Sequence, residues 1–382
     1  MDFTYTEEQL ALQDTLQRFI ARDYDFERRR SLVRSPLGYS ADAWQQYAAL
    51  GLLALPFPEE FGGLGGNGVD IMAVMELIGR GLLLEPYLNT VVMCGGLIRD
   101  AATDSIKRTM LPQIAAGRLQ IAFAAHEAAG RYELAHVGCT AVSSGKGWRL
   151  TGRKAVVLDA PSADYFLVSA RSSGKLTDAD GVSLFLVRRD APGLTSYAYP
   201  TQSGGRAADL KLQDVAVDND AVIGTPGRAL AIIERAVDWG IAALCAEALG
   251  IVTALNQATL SYLKTRKQFG VAIGNFQALQ HRMAEMFIAA EQTRSMAIIA
   301  AIHTGVEDLA ARRRAIAGAK AYIGQAARFV GQQAVQLHGA MGVVDDLIVG
   351  HYFKRLTMID LTLGDADFHL ARFSDALRAA TG

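Results

Sequence analysis

The spacing of apolar residues changes character twice along this chain. In the first part they recur mostly every three or four positions, the period of a helix with one buried stripe. Leu10, Leu12, Leu16, Phe19 and Ile20 form the first stripe, and Thr6 stands before it as an N-cap. Trp44–Leu53, Val69–Arg80 and Leu88–Asp100 predict further helices. Between them Pro56–Gly66, PFPEEFGGLGG, is too rich in proline and glycine for a helix and predicts a turn-rich loop. From about 118 to 222 the apolar runs shorten and partly alternate, as in GWRLTGRKAVVL, DYFLVSA, VSLFLVRR and ADLKLQDVAV. That is strand texture, with a hairpin turn at Gly145–Gly147. No proline follows Pro226, and the helical period returns, predicting a bundle of about four long helices over Ala229–Gly382. The expected fold is therefore mainly α with a small β middle domain: an N-terminal helical domain over 1–117, the β domain over 118–225, and a four-helix bundle over 226–382.

Composition narrows the function classes. The chain has 382 residues, 51% of them hydrophobic and 20% charged, enough apolar material for a large core. Thirty-eight basic residues against 39 acidic ones give a net charge of −1, which excludes a broad basic face for nucleic acid. The longest apolar run, Gly240–Leu255, is interrupted by Glu247, so no membrane span is expected. The opening MDFTYTEEQL is acidic and unlike a signal peptide. Cys94, Cys139 and Cys245 lie far apart, which predicts no disulfide framework, no zinc site and a reducing cytoplasm. No metal is implied.

Five strings in order carry a resemblance: TEEQ near the start, LGLLALPFPEEFGGLGG followed by Glu76, GWRLTGRKAVVL, Tyr262–Met286 (YLKTRKQFGVAIGNFQALQHRMAEM), and Gln336–Gly342 (QLHGAMG). With these the chain resembles the acyl-CoA dehydrogenase family over essentially its whole length. The resemblance implies α,β-dehydrogenation of an acyl-CoA thioester, in which a carboxylate takes the α-proton and FAD takes the β-hydrogen as hydride. It also implies an FAD whose ADP half reaches a neighbouring subunit, and an electron-transferring flavoprotein as acceptor.

Carried over residue by residue, the resemblance assigns Arg266 to the FAD pyrophosphate, a task suited to a planar two-pronged donor. Gln268 and Phe269 accompany it, Phe276 and Gln277 fall near the adenine or ribose, and Gln336, Leu337, His338, Gly339 and Ala340 approach the diphosphate. The catalytic machinery is not matched. Ungapped counting from His338 puts Leu363 where the family carries its glutamate, and the alternative base position falls on Gly240, followed by Ile241 where an arginine is expected. Of the family's flavin-ring contacts, His126–Tyr132 (HEAAGRY) keeps only Glu127, and Val156, Val157 and Leu158 stand for Trp-x-Thr.

One half-site is thus kept and the other is eroded. The resemblance then points to a base-lacking subunit of a hetero-oligomer, α2β2 with a paralogous acyl-CoA dehydrogenase subunit, like the small subunit of two-component enzymes such as pimeloyl-CoA dehydrogenase. Two alternatives stay open. One is a self-sufficient homo-oligomer with a displaced base, Asp238 or Asp365; the other is a non-catalytic scaffold. Asp238 also matches a family aspartate on the pantetheine arm, and Asp365 and Asp367 suit the cap of the last helix.

Overall fold

The computed structural model describes residues 5–381. Helix α1 (Glu7–Asp23) opens on a capping box: the Thr6 side chain accepts from the Gln9 amide, and the Gln9 side chain accepts from the Thr6 amide. Helices α2 (Phe26–Arg34) and α3 (Ala41–Ala49) follow, α3 capped by Ser40. The expected Trp44–Leu53 helix ends early because Gly51 is left-handed, with φ 76°, and Leu52–Ala54 tightens into a 3-10 turn. After the expected loop comes α4 (Gly68–Gly81). Leu88–Gly95 is a π-helical stretch running into α5 (Gly96–Ala101), and α6 (Asp104–Ala115) completes this part.

The β region contains β1 (Ile121–Ala124), β2 (Thr140–Ser144), β3 (Gly147–Leu158), β4 (Tyr165–Arg171), β5 (Val182–Arg188), β6 (Leu194–Pro200), β7 (Arg206–Asp218) and β8 (Val222–Ile223). The sheet order is β6-β7-β3-β2-β4-β5-β8, with β1 parallel to β4. Inward residues such as Leu150, Phe166, Phe185, Leu210 and Val215 form its core, so the alternation read in the sequence is the alternation of burial. β2 and β3 form the expected hairpin, with Gly145 at φ 59°. A bulge between Lys154 and Val157 turns Val156 into the left-handed region, at φ 51°.

The last part is helical: α7 (Leu230–Thr265), a hairpin of β9 (Lys267–Gln268) and β10 (Val271–Ala272), α8 (Gln277–His303), α9 (Leu309–His338), α10 (Ile348–Leu361) and α11 (Ala366–Thr381). The fourth limb of the bundle is in two pieces, α10 and α11. By length and composition alone α7 is long and apolar enough to cross a membrane, but 94% of its most apolar stretch is buried within the protein, so it is a core helix. Glu247, which interrupts that run, is held by both prongs of Arg355 at 2.5 and 2.7 Å. Where α4 crosses α7, a Cβ on Gly79 would strike the Glu247 carbonyl, and one on Gly250 the Glu76 carbonyl.

By contacts the chain forms two compact units that are not consecutive in sequence. One gathers the residues up to Arg30, Gly68–Leu83 and Ile241 onward; the other gathers Ser31–Asn67 and Leu84–Gly240.

Candidate flavin and acyl-thioester site

Arg266 directly follows α7. Its amide donates to the Tyr262 carbonyl at 2.8 Å, the last helical bond, and its carbonyl accepts from Ile273 at 2.9 Å, so the β9–β10 hairpin closes on it. The two-residue connection, Phe269 and Gly270, has φ 52° and 82°, as a primed turn requires. A non-glycine residue there costs about 1 kcal/mol, yet Phe269 is 91% exposed, its ring edge-on to that of Phe276 with centroids 6.2 Å apart. Gln268 and Gln277 are exposed too. The exposed Arg266 guanidinium forms no ion pair or side-chain hydrogen bond among the described residues. The arm therefore presents one unneutralised two-pronged donor and two aromatic rings to whatever lies outside this chain.

The second predicted segment starts at the end of α9. Gln336 is exposed, Leu337 and His338 are buried, and Gly339 and Ala340 are exposed. Gly339 has φ 60°, and open space surrounds its missing Cβ, so its backbone is accessible. His338 Nδ1 pairs with the Ala334 carbonyl at 2.8 Å, and burial lowers its pKa. Its ring stacks on Tyr262 at 4.4 Å, and the Tyr262 hydroxyl donates to its carbonyl at 3.4 Å. This contact brings together two strings that lie 76 residues apart in sequence.

Leu363, on which the count from His338 places the family's glutamate, lies in the turn between α10 and α11. Leu363 and Gly364 have φ 59° and 107° there. The buried Lys320 ammonium spans the turn, donating to the carbonyls of Ile359, Asp360 and Gly364 at 2.9, 2.7 and 2.7 Å. Burial pulls Lys320 down to about 8, partly offset by the Cys245 thiol and the Asp360 and Asp365 carboxylates. His369 Nε2–H donates to the Leu363 carbonyl at 2.9 Å. Burial, and then the Lys320 charge, push His369 down to about 3, so its ring is neutral. The turn thus holds a leucine in a well-determined pose. Asp365 accepts from the Phe368 amide at 2.9 Å and is the N-cap of α11. Asp367 sits in that first turn. Asp238 is buried in α7, at 5% exposure, and Gly240 and Ile241 follow it on the same helix with no titratable group.

In the β region, Glu127 accepts from Lys154 at 2.7 Å, from the Gly138 amide at 2.7 Å and from the Cys139 amide at 3.0 Å. Burial alone would raise its pKa; the Lys154 ammonium and these hydrogen bonds hold it below the usual carboxylate range. The retained glutamate is thereby a strut joining the 126–139 loop to β3. Val156 is 48% exposed at the bulge, and its amide already donates to Asp209 Oδ1 at 2.9 Å, an oxygen shared with the Tyr199 hydroxyl. Val157 is in the core. Tyr132 stands beside His126, at 6.1 Å, under the Arg131 guanidinium. No side-chain hydroxyl is offered at 156–158.

Lys320, His369, Tyr262 and Lys154 were not singled out by sequence reasoning. The available signal was a lone lysine inside the buried stripe of an alanine-rich helix, Ile316–Ile323.

An N-terminal helical region, a β region and a long-helix bundle, with an arginine-bearing hairpin between the bundle helices α7 and α8, make up the architecture of a flavoprotein dehydrogenase. Residues 6–118, 122–219 and 227–377 match the N-terminal, middle and C-terminal domains of acyl-CoA dehydrogenases. The chain belongs to the acyl-CoA dehydrogenase family, FAD-dependent oxidoreductases. A variant of the Tcur3481-Tcur3483 steroid ACAD is 31% identical, with 98% of this chain and 99% of that one covered and a TM-score of 0.89. The ChsE4-ChsE5 complex from Mycobacterium tuberculosis is 27% identical, with 99% of both chains covered and a TM-score of 0.90. PigA, solved with FAD and proline, is 25% identical, with 100% of both chains covered and a TM-score of 0.91.

Proposed function

We propose that this chain is the base-lacking subunit of a two-component acyl-CoA dehydrogenase, paired with a paralogous subunit as α2β2. The observation that carries this reading is Leu363. A side chain that cannot accept a proton occupies the glutamate position, in a turn fixed by Lys320 and His369. The unneutralised Arg266 on an exposed arm supports the complementary role of gripping a neighbour's cofactor.

The residues fit one half of FAD and not the other. Arg266 would take the pyrophosphate, the Gln336–Ala340 backbone would lie along it, and Phe269 and Phe276 would flank the adenosine end. Val156, Val157 and Leu158 offer no comparable polar cradle for the ring. The chemistry FAD supplies when bound is acceptance of a hydride from the β-carbon of the thioester. The partner subunit supplies the carboxylate for the α-proton, and Asp238, buried on α7, positions the pantetheine arm. An electron-transferring flavoprotein takes the electrons onward.

The two-component pattern is that of the small subunit of pimeloyl-CoA dehydrogenase. The steroid ACAD, similar over nearly the whole chain, favours a bulky polycyclic acyl group over a straight one, and the ChsE4-ChsE5 complex, equally similar, favours an assembly of two unlike chains. Three buried free thiols suit a reducing cytoplasm.

The test is co-expression with the adjacent reading frame, followed by measurement of the flavin-to-chain ratio. The reading expects one FAD per pair of unlike chains and activity only in the pair. Arg266→Ala should lower FAD retention by the pair at least tenfold. One FAD per chain with full activity from this chain alone would overturn the reading, and an Arg266→Ala pair that keeps its flavin would favour a scaffold.

A further inference from the structure

The solvent face of the β region carries two cations, Arg153 and Lys211, that form no ion pair among the described residues. Arg153 on β3 lies directly opposite Lys211 on β7, and Thr195 on β6 lies on the other side of Lys211. The neighbouring Lys154 is buried, so Arg153 projects outward. Directly opposed residues have Cβ atoms about 5 Å apart, and like charges at that spacing repel. Neither side chain forms an ion pair or hydrogen bond among the described residues.

Both cations line a pocket of 390 Å³ with Ala128, Ala155, Tyr197 and Asp209. Its size is within the range of small-molecule sites. Tyr197, opposite Asp209 in the register, is 57% exposed and offers a flat ring for stacking. Asp209 spends Oδ1 on the Val156 amide and the Tyr199 hydroxyl, which leaves Oδ2 to accept from a ligand hydroxyl or amine. A bare anion would use only the two cations and leave both the Tyr197 ring and the Asp209 acceptor unused.

We propose that this pocket binds a nucleoside phosphate. The phosphate sits on Arg153 and Lys211, the base stacks on Tyr197, and a ribose hydroxyl or exocyclic amine donates to Asp209. The site shares no residue with the Arg266 arm or the 336–340 segment, although it adjoins the β-region flavin segments through Ala128 and, by way of Asp209, Val156; it stands whether or not the two-subunit reading does. The nucleotide is either free or the nucleotide end of a CoA thioester.

The test is calorimetric titration of the full-length chain at low salt with ADP, adenosine, inorganic phosphate and coenzyme A. ADP should bind at least tenfold tighter than adenosine. Arg153→Gln with Lys211→Gln should weaken ADP at least tenfold, and Arg266→Ala should leave that binding unchanged. Tyr197→Ala should weaken ADP and leave phosphate unaffected. Coenzyme A binding with the same residue dependence assigns the site to the thioester; ADP binding without it assigns a free nucleotide. The double variant should also hold or raise its urea midpoint, because a repulsion is removed. The proposal is overturned if ADP fails to bind, if its affinity follows Arg266 instead, or if the midpoint falls.

Discussion

Tyr262 and His338 stack face to face, 4.4 Å apart and 27° from parallel, with the Tyr262 hydroxyl on the His338 carbonyl. This contact sets the spacing between the hairpin arm and the 336–340 segment. An aromatic pair of this kind contributes about 1 kcal/mol beyond its buried area. Tyr262→Ala should therefore lower FAD retention by the assembled enzyme several-fold with only a modest fall in melting temperature. Tyr262→Phe should behave almost as the parent. Equal flavin retention in all three would mean that the two segments are positioned independently.

Lys320 is buried with all three of its donors engaged. Lys320→Met would leave three carbonyls without their donor, and losing one side of a buried charged network costs about 3–5 kcal/mol. Urea denaturation should report a loss of that order. Lys320→Arg should not rescue it, because a planar fork cannot reproduce three converging bonds from one nitrogen. A loss below about 1 kcal/mol would refute the clamp.

His369 makes stability depend on acid. Its Nε2–H is committed to Leu363, and its buried Nδ1 has no partner among the described residues to receive a second N–H. The folded pKa, about 3, lies well below the ordinary 6.5. Between those values the unfolded chain binds a proton that the folded chain refuses, so stability is full above about pH 6.5 and declines as pH falls toward 3. The decline from this group is about 5 kcal/mol across that window. His369→Gln should flatten that part of the urea-midpoint profile; an unchanged slope would place the acid sensitivity elsewhere.

On the proposed two-subunit reading, Leu363→Glu places a carboxylate where the resemblance assigns the base, without restoring the flavin half-site. The isolated variant should still show no dehydrogenation of acyl-CoA thioesters, since Val156, Leu158 and Tyr132 are unchanged. Turnover by the isolated variant would show that the base alone had been missing.

The legibility of this chain follows the range of the forces involved. The helix-strand-helix order is a matter of local period and proline placement, and it can be read from residues near one another. The Thr6 cap and the Gly145 turn were legible for the same reason. The α3 boundary was not, because one glycine, Gly51, ended a run whose apolar pattern continued. Arg266 could be located through its motif, but its lack of an internal partner is a three-dimensional fact. Lys320 and His369 act on a turn 40 or more residues from Lys320, through backbone carbonyls, and no sequence pattern announces a carbonyl. The Arg153–Lys211 opposition likewise depends on strand register, which the alternation of either strand leaves free.

The crossing of α4 and α7 at Gly79 and Gly250 sets a tolerance on change. Two absent methyl groups let one backbone rest on the other, so an alanine at either position would act as a wedge between the early chain and the late one. The loss could not be made good by trimming a neighbouring side chain, since what stands in the way is main chain. Drift at these two places is therefore closed to the lineage unless the helices themselves part.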